Sequence, residues 1–302
     1  MDKQTRRPCP LCGAQAAGAR ILFVENGEPV LFCRACGMMY LDRKEQETDA
    51  TEAADYVKNF CAIHDNLLHA GSFAANSIID SLGQVASLLE VGIGVGALAQ
   101  QATRRGIDYW CVEPSRDLVR LALDKGLVRE EKSFVAPIEE VELPQERFDA
   151  VVLNMVLEHL LDPVSALAGS LKSLKPGGVL YLEVPNSRLF TLRTRVRKML
   201  GMTSFMAGHI NFFTPATIRR CLAQAGMTQS RSRIISNFRR GEGEAMVSFY
   251  KEAAGSLRII DRILRRFPLD EALGVATILC CCGRKKAVSE SGTADWQRTL
   301  IE

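Results

Sequence analysis

Residues 88–100 read LLEVGIGVGALAQ. A short apolar run ends here in an acid, Glu90, and is followed by Gly92, Gly94 and Gly96 at every second position and then by a helix-like stretch. The apolar run 86–91 has the length of a buried strand. Glycine after such a strand permits positive φ and lets the backbone come close to a ligand. Seventeen residues after Gly96, a second acid, Glu113, ends the next apolar run, IDYWCVE. An acid at that point can accept hydrogen bonds from both ribose hydroxyls of a nucleoside.

Outward from this turn the hydrophobic period alternates. Strand 86–91 leads to a helix near 96–105, strand 107–113 to a helix near 115–125, and a weak strand follows near 132–136. FDAVVLN at 148–154 reads as a strand before a helix at 163–174. KPGG then reads as a turn into the strand VLYLEV, near 178–184. A helix near 214–225 stops at Gly226, 227–236 reads as a strand, 251–267 as a helix and 275–283 as a last buried strand. Apolar strands alternating with helices predict an α/β fold with a parallel sheet covered on both faces. Ligands of such sheets bind at the carboxyl ends of the strands.

Two cofactors fit the turn itself. Gly92, Gly94 and Ala97 match a G-x-G-x-x-A dinucleotide pattern, and Glu90 with the three glycines matches E-x-G-x-G-x-G, which suits S-adenosylmethionine. That donor has no pyrophosphate to place at a helix N-terminus. It carries an ammonium and a sulfonium, so acids beside the turn attract it.

A separate unit precedes the core. CPLCG and CRACG give the spacing C-x2-C-x20-C-x2-C through Cys9, Cys12, Cys33 and Cys36. Zinc favours four thiolates in a tetrahedron, and two intervening residues let both sulfurs of a pair reach one ion across a tight turn. With every position filled by protein, the metal is expected to be structural, and it would supply folding energy that so small a unit cannot obtain from its core. The paired arrangement without a surrounding βαβ unit argues against a redox dithiol. Three other cysteines, Cys280 to Cys282, alternate along the last strand and read as small core residues.

The 302 residues are 47% hydrophobic with a net charge of +3, too mild a balance to call for nucleic acid. The opening MDKQTRRPCP is polar and basic and reads as no secretory leader. Cytoplasmic residence is the expectation. The domains read as a ribbon at 1–42, a linker and entry helix at 43–64, a cofactor-binding domain at 65–286 with a helical insertion at 237–273, and a polar tail at 287–302.

RFDAVVLNMVLEHLLDP and LKSLKPGGVLYLEVPN, taken with LLEVGIGVGALAQ, CVEPS and AGM after a helix, resemble the class I S-adenosylmethionine-dependent methyltransferases over about 65–235. The branch resembled includes ubiquinone-type, sugar and small-molecule methyltransferases. CPLCG…CRACGMMYL resembles the zinc-ribbon head of some bacterial members. The resemblance implies a Rossmann-like, mostly parallel seven-stranded sheet. It implies that Glu90, Gly92, Gly94 and Gly96 line the amino-acid end of S-adenosylmethionine, that Glu113 holds the ribose and that Pro114 lies beside the adenine. Ile138 and Glu139 would flank the adenine, partly through backbone, because Ala136 and Pro137 replace the family's glycine and acid. Asn154 would sit against the methionine part.

Methyl transfer to a weakly acidic hydroxyl benefits from a base, and histidine suits that task at neutral pH. Relatives often place histidines where His159 (in LEHL) and His209 (in AGHINFFTP) stand here, and both are candidate bases, His209 foremost. In sugar C-methyltransferases of this type the second site reads Glu-His. Gly208 takes the acid's place here, which argues against a Glu–His deprotonation mechanism and favours O-methylation. His64 and His69 lie on the entry helix.

An amphipathic helix at 257–267, with Arg258, Arg262, Arg265 and Arg266 on one face, and a basic stretch at 188–198 suit an anionic substrate or a peripheral membrane contact. The expected acceptor is a small molecule or saccharide, nucleotide- or lipid-linked. A competing reading is an RNA or protein methyltransferase that docks its substrate on the ribbon, although the ribbon offers few interleaved basic and aromatic residues. An NAD-dependent oxidoreductase is disfavoured by Glu90 and the LEHL block. A binding module that keeps the pocket without the chemistry is the remaining alternative.

Overall fold

Two cysteine knuckles begin the chain. In each, the glycine after the second cysteine adopts positive φ (69° at Gly13, 79° at Gly37) and its N–H returns to the carbonyl of the first cysteine, Cys9 or Cys33. The knuckles flank a small antiparallel sheet of β1 (Arg20–Glu25), β2 (Glu28–Phe32) and β3 (Met39–Leu41). The computed structural model describes residues 6–25, 27–43, 64–188, 208–227, 230–235 and 278–286. The linker beyond 43, the basic residues 189–198, the insertion at 237–273 with its 257–267 helix, and the tail at 287–302 lie outside the described residues.

The entry helix α1 (His64–Leu82) leads to β4 (Ser87–Val91), α2 (Ala97–Arg104), β5 (Asp108–Val112), α3 (Arg116–Asp124) and β6 (Ser133–Phe134). After these come β7 (Phe148–Asn154), α4 (Pro163–Ser173), β8 (Leu174–Pro185), β9 (Asn211–Phe212), α5 (Pro215–Gln224), β10 (Ser230–Ile235) and β11 (Ile278–Arg284). The main sheet has seven strands in the order β10-β11-β8-β7-β4-β5-β6. From β8 to β6 the pairing is parallel, while β11 runs antiparallel between β8 and β10. This is the Rossmann-like, mostly parallel sheet expected from the sequence.

Alternation along the strands sends neighbours to opposite faces. Leu88, Val152, Tyr181 and Cys280 pack with α1, α2 and α3 on one face. Leu89, Val151, Leu182 and Cys281 pack with α4 and α5 on the other. The cysteines of β11 are therefore core, as read. Helix starts are capped as their sequences suggest. Ser115 accepts from the Leu118 N–H, Asp162 from Ser165, and Thr214 with Thr217 forms a capping box ahead of Pro215.

Two features differ from the sequence reading. KPGG does not form a turn ahead of a strand: β8 already starts at Leu174, paired with Phe148, and the register then jumps so that Ala150 faces Val179. The additional residues bulge out, and across the gap the Gly177 N–H donates to the Lys285 carbonyl, just past β11, while the Lys285 N–H donates to that of Gly178. The second is β9. It belongs to the sheet of the N-terminal unit, where Met39 faces Phe212 and Tyr40 faces Asn211. The N-terminal unit is thereby built into the domain. Cys9, Leu31, Met38 and Tyr40 share a buried cluster with Leu167, Phe213 and Ile218. Arg7 Nη2 donates to the Leu161 carbonyl at 2.5 Å, and Arg220 Nη1 to that of Cys36 at 2.9 Å.

Candidate active site

The glycine turn sits at the carboxyl end of β4 and opens onto a cavity of about 250 Å³ lined by Glu90, Gly92, Gly94, Gly71 and Asn154, among others. All three glycines have positive φ: 79°, 51° and 75°. At Gly92 the need is also steric, because a Cβ there would lie 2.7 Å from Val156 Cγ2. The turn and the segment leaving β7 are thus packed tightly together.

Glu90 is 4% exposed and accepts the Tyr109 hydroxyl proton. Burial pushes its carboxyl up to about 8, against the lowering effect of that hydrogen bond and with a smaller contribution from Glu113. A cation placed in the cavity would reverse this balance. Glu113, also buried, braces the turn. Its carboxylate accepts from the Ile93 N–H at 3.1 Å and the Ser115 N–H at 2.9 Å, while burial raises its pKa. Gly96 starts α2 with no side-chain cap. Pro114 is exposed, and Glu139 lies on the exposed side of the turn Ile138–Glu140. The Ile138 side chain packs into the core.

Past Asn154, the chain adopts φ 56° at Met155, an uncommon conformation for a branched or bulky residue and one that concentrates at functional sites. It then enters the short turn Leu157–His159. Here the two candidate bases meet. The rings of His159 and His209 are 4.9 Å apart, edge to face. His159 Nδ1 lies 3.3 Å from the Gly208 carbonyl oxygen, and Gly208 holds φ 73°. That left-handed backbone favours glycine at this position. Burial, with the neighbouring His159, lowers His209 to about 4, and burial also lowers His159. Both shifts favour the neutral ring and weaken it as a base.

A third group joins them that the sequence reading did not assign. Glu158 is 1% exposed, its Oε1 is 4.0 Å from His209 Nε2, and neither carboxylate oxygen has a hydrogen-bond partner among the described residues. Burial pushes it up to about 8. An acid between Leu157 and a candidate base, His159, was the signal available in the sequence. The loop carrying His209 is held firmly. The Ile210 N–H donates to the Glu158 carbonyl at 2.8 Å, and Asn211 Nδ2 donates to those of Leu157 and Leu160 at 3.0 and 2.6 Å. The exposed His69 is not part of this group.

At the far side of β9, the four cysteine sulfurs of the knuckles lie within 4.8 Å of one another, with Cys9–Cys36 at 3.5 Å and Cys12–Cys33 at 3.6 Å. Sulfurs bound tetrahedrally at about 2.3 Å from zinc stand about 3.8 Å apart. The donor set and its spacing fit such an ion.

A family model described as "Methyltransferase domain" matches residues 58–229, more than half of the chain. The chain belongs to this methyltransferase family. The chain is similar to a ubiquinone biosynthesis O-methyltransferase of Alkalilimnicola ehrlichii, 33% identical over 112 residues, covering 35% of this chain and 45% of the relative. A protein of the same description from Hydrogenovibrio crunogenus is 23% identical over 64% of this chain and 73% of its own length. The chain spans about half the length, or less, of the first relatives it matches. Among solved structures, the fold resembles a Burkholderia thailandensis 1,6-didemethyltoxoflavin-N1-methyltransferase (TM-score 0.50, 16% identity, 89% of this chain and 99% of that one). It also resembles a Thermotoga maritima S-adenosylmethionine-dependent methyltransferase (TM-score 0.50, 18% identity, 77% and 96%). No helix among the described residues is long and apolar enough to cross a membrane.

Proposed function

We propose that this protein transfers a methyl group from S-adenosylmethionine to an oxygen of a small molecule, with His209 as general base and His159 beside it. The observation that carries this reading is the pair of half-buried imidazoles at the same end of the sheet as the cavity at the glycine turn. Relatives named as ubiquinone biosynthesis O-methyltransferases support oxygen as the acceptor atom. A saccharide is one acceptor of the right chemistry.

S-adenosylmethionine supplies the activated methyl as a sulfonium. Glu90 would answer its ammonium, the glycine turn would let it approach the backbone, and Glu113 would receive the ribose hydroxyls on the lone pairs it has left. The protein's share of the chemistry is alignment and removal of one proton. The acceptor's proton would pass to the imidazole of His209, which is uncharged; because burial weakens that ring as a base, a group that favours its protonated form would be needed beside it.

Cys9, Cys12, Cys33 and Cys36 would hold a structural zinc ion, which leaves no open position for a substrate. The pairing of β3 with β9 supports this role, because it commits the inner edge of the ribbon to the domain and not to a macromolecule.

Calorimetry with S-adenosylmethionine and S-adenosylhomocysteine tests the cofactor. Incubating a cell-extract metabolite pool with methyl-labelled cofactor, followed by mass spectrometry, tests the acceptor. A labelled O-methyl product that disappears in His209→Asn is the expected outcome. A labelled RNA or protein fraction, or no binding of either cofactor form, would overturn the proposal.

A further inference from the structure

Glu158 stands out among the buried ionisable groups. The other buried acids at this end of the sheet are engaged: Glu90 by Tyr109, and Glu113 by two backbone amides. Glu158 has two unpartnered oxygens in a site 1% exposed, next to the ring assigned as the base. A buried, unpaired carboxyl is costly and calls for an explanation. The sequence places no acid next to His209 along the chain, since position 208 is glycine. The fold places one there through space, from a different loop.

We propose, building on the assignment of His209 as the base, that Glu158 is its positioning residue: the carboxylate holds the Nε2–H tautomer and leaves Nδ1 to take the acceptor's proton. The separation of 4.0 Å exceeds hydrogen-bond length by about 1 Å, a gap that a rotation of the imidazole or the carboxyl closes. Loose catalytic hydrogen bonds of this kind commonly tighten when the substrate complex forms. In the reaction the acceptor O–H bond breaks toward Nδ1, the O–C bond forms as the S–C bond breaks, and the new imidazolium faces a carboxylate. The proton then leaves to solvent and restores the pair. The titratable groups facing His209 are Glu158 on the preceding loop and His159 in the same turn. The competent state of the pair has an ionised carboxyl and a neutral ring. Because burial holds the carboxyl up to about 8, that state is gained as pH rises toward this value.

The test is histidine-selective NMR on the full chain saturated with S-adenosylhomocysteine, for wild type, Glu158→Gln and Glu158→Asp, with His209→Asn used to assign the ring. In wild type, His209 is expected as the Nε2–H tautomer above the titration midpoint. Beyond that midpoint, the ring nitrogen shifts of His209 should show a second inflection as the carboxyl ionises near pH 8, and Glu158→Gln should abolish it. Glu158→Asp should retain the inflection. Once an acceptor is identified, the alkaline shift of the kcat profile should follow the same order, with KM for the acceptor changing little. An Nδ1–H tautomer in wild type overturns the proposal even if neither variant folds. So does a ring titration with no second inflection in wild type, or with the same inflection in all three proteins. Joint displacement of the His159 and His209 signals by millimolar Mg2+ or Mn2+, with activity dependent on the ion, also overturns it and makes the three groups metal ligands. Calorimetry separates the two layers. If S-adenosylhomocysteine fails to bind any of these proteins, it is the methyltransferase reading that falls. If it binds and the titration does not move, the role of Glu158 falls alone.

Discussion

At Gly92, two independent demands fall on one residue: a φ of 79°, and a Cβ position already taken by Val156 Cγ2. Gly92→Ala should therefore weaken S-adenosylhomocysteine at least tenfold by calorimetry, which corresponds to about 1.4 kcal/mol. Gly94 has nothing within 4 Å of its Cβ position, so alanine there meets only the backbone cost and should bind more tightly than the Gly92 variant. Glu90 makes the opposite kind of prediction, one of charge. Its folded-state pKa, raised to about 8, means that the native protein binds a proton more readily than the unfolded chain does. The stabilisation is complete below the ordinary carboxylate pKa and is lost as pH rises toward 8. The cofactor-free protein should therefore melt at a lower temperature at pH 9 than at pH 6. Cofactor binding at pH 7 should release protons, seen as a buffer-dependent binding enthalpy that Glu90→Gln abolishes.

Among the elements, β9 has the most influence for its size. It is the outer strand of the ribbon sheet and also the anchor of the loop that carries His209. Stripping metal from the four cysteines should raise amide exchange across 208–214 as well as in the knuckles, leaving β4 and the glycine turn protected. Exchange measured by mass spectrometry, with and without chelator, checks this. An unchanged 208–214 segment would uncouple the two. Helix α5 follows directly, and loss of its capping box in Thr214→Ala should destabilise the protein by about 1 kcal/mol in urea melts. The same elements show what a sequence can and cannot reveal. β7, FDAVVLN, was legible to the residue because its apolar run is bounded by polar positions. The knuckles, the glycine turn and the helix starts were equally local signals. β9 was not legible, because a two-residue strand has no period and its partner lies far away in the chain. KPGG misled for a related reason: proline and glycine signal a turn, while the lateral bonds from Gly177 and Gly178 to Lys285 keep the segment in the sheet. Glu158 was visible as a residue, but its proximity to His209 depends on the same long-range pairing.

Over the whole molecule, one buried cluster runs from Cys9, Leu31 and Tyr40 through β7 and β8 to Phe213 and Ile218. The second cluster of the ribbon, around Val30, Met39 and Leu41, is likewise completed by Ile210 and Phe212, so the unit loses part of both interiors when the rest unfolds. Scanning calorimetry should show the ribbon and the domain melting in one transition, displaced to lower temperature by chelation. Two separate transitions would mean that the shared cluster contributes little. Elemental analysis of the purified protein should find one zinc per chain, lost in Cys33→Ser.

The strand shared between β3 and β9 also limits how this protein can be recombined. A head exchanged for that of a relative at the 43–64 boundary would arrive without the edge that its new host offers at 211–212. The resulting chimera would leave unpaired amides on both sides of the seam and would let the loop that carries the base drift. Useful hybrids must move 6–43 together with 208–214 as a matched set, although more than a hundred residues separate the two pieces in the chain.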